Sequence, residues 1–340
     1  PNIQGQNRKT RNYVGGNHII KMAYCVKGFF YFELVLLLLS LSLCISPSIN
    51  VRAQMGEFTI QTIDGESVAS RIDGPVSIVL DSKNFPHVVY SKIIFSADEY
   101  SYIIRHAYYD GAYWHFETLE TYSPFLFGCS GELDSSNFPH IAYAHKTGAG
   151  QVSLTYAYYN GASWTIQRVD EGQCGYPSLI LDSDNKPYIS YYENQSKTIR
   201  YAFHNGFSWH IQTVDNFPML HCWGRSIAID SYNRPHIVYF KEPTYPTICL
   251  TYAYFNGTSW VIETVTRENF AYPSASIAID SYDKPHVGYC GSNGRLGYAY
   301  FNGTSWNPQL IPGSERDDIQ SISIALDSGG NPHIGYCDLI

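Results

Sequence analysis

Two short phrases recur along this chain at a spacing near fifty residues. The first reads "SIVLDSKNFPH" at Ser77–His87, "SGELDSSNFPH" at Ser130–His140, "SLILDSDNKPY" at Ser178–Tyr188, "SIAIDSYNRPH" at Ser226–His236, "SIAIDSYDKPH" at Ser276–His286 and "SIALDSGGNPH" at Ser323–His333. Its aspartates, Asp81, Asp134, Asp182, Asp230, Asp280 and Asp327, lie 47 to 53 residues apart. The second phrase is "YYDGAYW" at Tyr108–Trp114, "YYNGASW" at Tyr158–Trp164, "FHNGFSW" at Phe203–Trp209, and "YFNGTSW" at both Tyr254–Trp260 and Tyr300–Trp306. A period of this size means similar supersecondary units, each of which buries its apolar faces only by stacking on its neighbours.

Each unit reads as four strands, here called a to d. "SIAID" is strand a. Asp and Ser then bond nearby amides in a tight turn that Pro closes. "PHIVYF" is strand b, where a leading Pro loses no ladder bond. "LTYAYF" is strand c, and Asn-Gly forms the c–d hairpin turn by accepting positive φ. "WVIETV" is strand d. The small residues Ala107, Ala157, Ala202, Ala253 and Ala299 sit between bulky aromatics in strand c. With 30 Tyr, 17 Phe and 6 Trp, the chain suits half-buried pleated surfaces. The expected class is all-β, with sheets packed face to face around an axis as a β-propeller of six visible four-stranded blades. "FTIQTID" (Phe58–Asp64) matches "WHIQTVD" (Trp209–Asp215) and has no a, b or c strand before it. It is expected to close the ring as strand d of the last blade, beside the trailing strand. The sixth unit stops after strand b, as in a chain cut short, and a continuation would allow seven blades.

Residues 1–21 read as a non-native or upstream segment. Met22, Lys27 and the apolar run Leu34–Ile45 read as a signal peptide over residues 22–53, cleaved before Gln54. The alternative is an uncleaved membrane anchor. The propeller domain then spans 54–340, with repeats starting near 77, 130, 178, 226, 276 and 323, and the protein is expected to be secreted or at the cell surface. The whole chain carries 22 basic and 30 acidic residues for a net charge of −8. Residues 1–53 hold six of the bases and one of the acids, leaving the domain at −13. Such a surface repels phosphate backbones, which argues against a nucleic-acid partner. Cys129, Cys174, Cys222, Cys249, Cys290 and Cys337 show no zinc spacing and read as buried free thiols.

At the c–d turn the chain resembles the sialidases and BNR-repeat proteins, whose Asp-box is Ser-x-Asp-x-Gly-x-Thr-Trp. The phrase here, Asn-Gly-x-Ser-Trp, is one residue shorter and keeps the acid only at Asp110. It also resembles the fucose-specific lectins, six-bladed rings of similar repeat length with a Gly-Trp motif near the same turn. Over Phe58 to Ile340 it is most similar to secreted proteins carrying "LDSxGxPHIxYY…LxYAxxNGxSW" arrays. These resemblances imply a propeller that binds glycans or, in the sialidase case, cleaves them.

The a–b and c–d turns are nearly uniform, while the d–a and b–c loops vary, and binding tends to sit on variable loops over a rigid scaffold. That face is the expected site for a glycan or an extracellular protein partner. The residues that break the pattern there are the candidates. Glu132 stands in strand a where other units have Val79, Ile180, Ala228, Ala278 and Ala325. Burial would raise its pKa, and it is the weak catalytic candidate. Trp223, flanked by His221 and Arg225, could stack on a sugar face while Arg225 holds hydroxyls or a carboxylate. Arg71 and Arg316, with Arg225, could imitate the sialidase arginine triad, although the Arg-Ile-Pro motif is absent and no Tyr–Glu nucleophile pair can be assigned. The leading expectation is therefore a non-enzymatic binder. A sialidase-like hydrolase and a scaffold module of a larger surface protein are the alternatives. The Pro-His histidines, on separate blades, are too far apart to share one metal and are expected to bond between blades. No cofactor or metal is expected. The sequons at Asn194, Asn256 and Asn302 fit a secreted protein.

Overall fold

The computed structural model describes residues 22–24, 59–61, 63–64, 70–72 and 76–339, apart from 96–99, 123–125, 148–149, 217–224, 245–246, 269, 271–272, 313 and 315–317. Among these residues there is no helix. Strands a to d of blade 2 are Leu126–Leu133, Pro139–Lys146, Val152–Tyr159 and Trp164–Gly172. Blade 3 is Cys174–Leu181, Pro187–Glu193, Thr198–His204 and Trp209–Asn216. Blade 4 is Arg225–Ile229, Pro235–Thr244, Thr247–Phe255 and Trp260–Glu268. Blade 5 is Ala275–Ile279, Pro285–Cys290, Leu296–Phe301 and Trp306–Leu310. In blade 1 the a position is shared by Ser70–Ile72 and Ser77–Leu80, both paired with strand b (Pro86–Phe95), followed by Tyr100–Tyr109 and Trp114–Tyr122. Blade 6 contributes Asp318–Leu326 and Pro332–Leu339. All sheets are antiparallel, in the chain order a-b-c-d.

Every strand b starts on the repeated Pro, and every strand d on the repeated Trp. The a–b turn is held by its Asp: Asp134 Oδ1 accepts the amides of Ser136 and Phe138, and the left-handed residue is Asn137 at φ 66°. In the c–d turn the Asn stays out of the left-handed region. Asn160 Oδ1 instead accepts the amides of Ala162 and Ser163, and only the glycine turns left-handed, with φ between 90° and 101° in all five copies. The expectation that both Asn and Gly take positive φ is thus corrected. The side-chain cap frees the Asn from that conformation.

The strand-c alanines are fully buried at 0% exposure, which lets the aromatic side chains of adjacent blades close over them. Strands a of successive blades pack beside one another and line the axis. The repeated Ser locks them: Ser77 Oγ accepts from Gly131 N at 3.0 Å, Ser130 Oγ from Leu179 N at 3.1 Å and Ser276 Oγ from Ile324 N at 3.2 Å.

A second lock joins strand b to the preceding blade. Tyr143, Tyr191, Tyr239 and Tyr289, all fully buried, donate to Glu120, Asp170, Asp215 and Glu268 at the ends of the neighbouring strands d. In blades 1 to 4 a bulge in strand d re-aims its end; the extra residue in blades 2 to 4 is the buried Val169, Val214 or Val265. The acid of the lock follows within three residues.

Tyr90 of blade 1 donates in the same way to Asp64, at 2.7 Å. Asp64 therefore stands where the lock acid at the end of a preceding blade's strand d belongs, and the described strand before it is Thr59–Gln61. Among the described residues, Thr59–Gln61 does not pair with the trailing Pro332–Leu339 as expected, but with Met22–Tyr24. Met-Ala-Tyr copies the Tyr-Ala-Tyr pattern of strand c, and Ala23 faces Ile60 as Ala157 faces Ile166 and Ala253 faces Ile262. Cleavage before Gln54 would remove that partner strand.

Candidate functional site: the cleft between blades 3 and 4

Side-chain contacts on the turn face recur from blade to blade, and several departures from them coincide at the junction of blades 3 and 4. In blades 2, 4 and 5 the Pro-His histidine meets a strand-c tyrosine of its own blade: His140 with Tyr156, His236 with Tyr252, and His286 with Tyr298 at 2.7 Å. Its other ring nitrogen faces the turn aspartate of the same blade. These bonds run within a blade, so the expectation of inter-blade bonding is corrected. Strand b carries the His next to its own a–b turn, which puts the Asp and Tyr closer than any neighbouring blade.

Blade 3 has Tyr188 at that position. Its hydroxyl donates to Asp182 at 3.1 Å, and the strand-c hydroxyl of Tyr201 is left with no hydrogen-bond partner among the described residues. Two further lapses coincide here. Asn137, Asn185 and Asp283 of the a–b turns bond the serine of the preceding turn (Ser82, Ser135 and Ser231). Asn233 and Ser183 do not make this bond. In blades 1 and 2, Phe85 and Phe138 cover the turn glycines, lying 2.8 and 3.0 Å from where a Cβ on Gly111 or Gly161 would be. In blade 4 that residue is Arg234. It folds back onto Asp230 at 2.6 Å and over the Tyr232 ring at 4.8 Å, and nothing covers Gly257.

The result is a cleft of about 250 Å³ lined by Tyr188, Tyr201, Phe203 and Gln212 of blade 3 and by Asn233, Arg234, Pro235, Phe255 and Gly257 of blade 4. Its floor is a ring column in which Phe203 stacks on Tyr201 at 5.5 Å and on His210 at 5.1 Å. Gln212 Oε1 accepts from Trp260 Nε1 at 3.2 Å, which fixes the amide with its NH2 group unbonded. Arg234 spends Nε and one Nη on Asp230 and keeps its remaining donors. Burial pushes the Asp230 carboxyl up, but the Arg234 amide and guanidinium, the Tyr232 amide and His236 outweigh it and hold the group below the usual carboxylate range. An apolar floor ringed by neutral donors and one guanidinium suits a ligand with an apolar face and peripheral hydroxyls.

The same locks explain the tryptophans. Trp209 Nε1 donates to Gln167 at 2.9 Å and Trp306 Nε1 to Glu263 at 3.0 Å, each across a blade boundary. They join neighbouring blades. Trp114 Nε1 has no partner among the described residues; in the repeat frame its acceptor position is Gln61. Cys129, Cys174, Cys249 and Cys290 are buried thiols, and burial pushes Cys129 and Cys174 up to about 12, away from the thiolate form.

The loop-face candidates are only partly placed. His221, Trp223 and Arg316 lie outside the described residues. Arg71 and Arg225 are strand residues, opposite Ile93 and Tyr239, where loops were expected. The extra pairing arises because strand b of blades 1 and 4 runs ten residues. Glu132 lies on the innermost strand opposite His140, at the position of Val79, Ile180, Ala228, Ala278 and Ala325. It makes no hydrogen bond or ion pair among the described residues, and desolvation alone pushes its carboxyl up to about 8. A carboxyl whose pKa rises on folding stabilises the fold below its unfolded pKa and loses that contribution as pH rises through the folded value. Relative to Glu132→Gln, the native chain is expected to lose stability between about pH 5 and pH 9, at no more than about 1.4 kcal/mol per pH unit. Urea unfolding of both proteins across that range checks it; parallel curves would place the carboxyl in bulk water.

No family model matches this sequence, and no curated protein matches it. Among solved structures, a triple arginine-to-alanine variant of AofleA from Arthrobotrys oligospora is similar at TM-score 0.51, with 13% identity over 75% of this chain and 76% of that one. The chain shares the propeller fold. SapL1 lectin in complex with alpha methyl fucoside is similar at TM-score 0.49 and 12% identity, over 79% and 97% of the two chains. The intramolecular trans-sialidase from Ruminococcus gnavus gives TM-score 0.49 and 8% identity, over 79% and 90%. In this propeller the cleft lies on the turn face, opposite the loop face where sequence variability points.

Proposed function

We propose that this propeller is an extracellular, non-enzymatic carbohydrate-binding protein and that the cleft between blades 3 and 4 is a binding site. The observation that carries the reading is the unpartnered Tyr201 hydroxyl beside the Phe203 face, with Arg234 and Gln212 holding free donors at the rim. A pyranose offers the complement: a C–H face for the aromatic floor and hydroxyls for the donors. The apolar run Leu34–Ile45 supports the extracellular location, and the acidic composition supports a partner other than nucleic acid. The variable d–a and b–c loops are proposed as a second surface, suited to glycan or protein, with Trp223 as its probe.

Fucoside-binding lectin stands among the proteins of similar fold, so α-methyl fucoside is the first probe, followed by a glycan array. Tyr201→Phe is expected to weaken binding about tenfold, equivalent to ~1.4 kcal/mol, with an unchanged unfolding midpoint, whereas Arg234→Ala weakens binding and also lowers the midpoint, because it leaves the buried Asp230 carboxylate without its guanidinium. Trp223→Ala reports on the loop face. Binding that is lost only in Trp223→Ala moves the site to that face, and a chain that binds nothing on the array defeats the carbohydrate reading.

A further inference from the structure

We propose that Asn256 and Asn302 are attachment sites for N-linked glycans and that the glycan on Asn256 stands at the mouth of the blade 3–4 cleft, limiting what enters it. The second half rests on the carbohydrate-binding reading; the first does not.

The c–d turn recurs five times, but only blades 4 and 5 place Thr two residues after the Asn. Thr258 and Thr304 stand where the other turns have Ala112, Ala162 and Phe207, and they complete Asn-x-Thr acceptor sequences. The turn presents both asparagines at the solvent-exposed tip. Asn256 Oδ1 is occupied by the amides of Thr258 and Ser259, and Asn302 Oδ1 by the amides of Thr304 and Ser305 together with the Thr304 hydroxyl. In each case Nδ2 has no partner among the described residues. Asn205, in a turn without the acceptor sequence, uses its Nδ2 on His210 at 2.7 Å. The fold thus spends the side-chain oxygen on the turn and leaves the nitrogen in solvent, where a substituent costs no contact. In the attachment, Nδ2 displaces lipid diphosphate from C1 of a lipid-linked oligosaccharide; the N–C1 bond forms, the C1–O bond to phosphate breaks, and the amide gives up one proton.

Asn256 is flanked by Phe255 and Gly257, both of which line the cleft. Space around Gly257 is open, with nothing within 4 Å of where its Cβ would be. A glycan rooted between these two residues shares the entrance with any incoming sugar. Asn302 occupies the same place one blade further on.

The full chain expressed through a eukaryotic secretory pathway tests this, with site-resolved peptide mass mapping before and after enzymatic removal of N-glycans. Glycan is expected on Asn256 and Asn302. Thr258→Ala and Thr304→Ala, which restore the alanine of blade 2, each lose one glycan and keep the turn cap. Titration with α-methyl fucoside is expected to tighten at least fivefold in Thr258→Ala and to stay unchanged in Thr304→Ala. Unmodified Asn256 and Asn302, in medium or in cells, overturn the attachment. Equal affinity in Thr258→Ala and the native chain overturns the gating. If no sugar binds either protein, the gating falls together with the binding reading, while the mass map still decides the attachment.

Discussion

Replacing Asp64 with alanine is expected to destabilise the chain by ~3–5 kcal/mol, the cost of leaving a buried partner charge uncompensated. Asp64 receives Tyr90 Oη at 2.7 Å, Lys92 Nζ at 2.7 Å and Arg105 Nη1 at 2.8 Å. Lys92 is only 6% exposed, so its ammonium is poorly hydrated when the carboxylate goes. Burial pushes the Asp64 carboxyl up, but the bonds from Lys92, Tyr90 and Arg105 outweigh it and hold the group below the usual carboxylate range. The sign follows: a depressed folded pKa stabilises above the unfolded value of 3.8, and that contribution is lost as pH falls through the folded value. Asp64→Asn keeps the shape and one acceptor but not the charge, and should fall between the two. Urea unfolding at pH 7 and pH 3 checks both points. Expected at pH 7 is the full loss, with the gap to the native chain narrowing as pH falls below 3.8. An Asp64→Ala protein within 1 kcal/mol of native would mean that the N-terminal segment is not an integral part of the propeller.

Trp260→Ala is expected to destabilise by ~2–4 kcal/mol, below the range for a fully buried tryptophan because this one is half-buried. Its ring packs edge-on to Tyr201 at 5.4 Å, and its Nε1 donates to Gln212. Both partners line the cleft. The variant therefore removes a wedge between blades 3 and 4 and also frees the floor of the site, so any carbohydrate affinity should fall further than the stability loss requires at temperatures where the chain stays folded. Trp260→Phe keeps most of the packing and loses one hydrogen bond, worth about 1 kcal/mol. Denaturant midpoints for the two variants separate packing from bonding. A Trp260→Ala midpoint indistinguishable from native would show that the repeated tryptophans do not join the blades.

Much of this architecture was legible in the residues. Proline marked the first residue of each strand b, tryptophan marked strand d, and the strand-c alanines marked where aromatic layers meet, because a Cβ alone fits a fully buried contact. The Tyr–acid lock left a signal too: a tyrosine three residues after each Pro-His or Pro-Tyr, and an acid at the end of the strand d before it. Neither half means anything alone, since the bond crosses a blade boundary 21 to 26 residues away in sequence. The cleft was hidden for a related reason. The turn face looks uniform in sequence, so attention falls on the variable loops, whereas the site arises from Tyr188 for His, Arg234 for Phe, and an unmade Ser183–Asn233 bond.

The order of residues in this chain by itself determined the repeat, the strand phrases and the turns, because hydrophobic period and turn chemistry act over a few neighbouring positions. Which side chains lost their partners, and which strand seats beside the N-terminal segment, was decided by the packing of one blade on the next. A hydroxyl is satisfied or left free according to what stands opposite it in space, and here that neighbour is supplied by a distant part of the sequence.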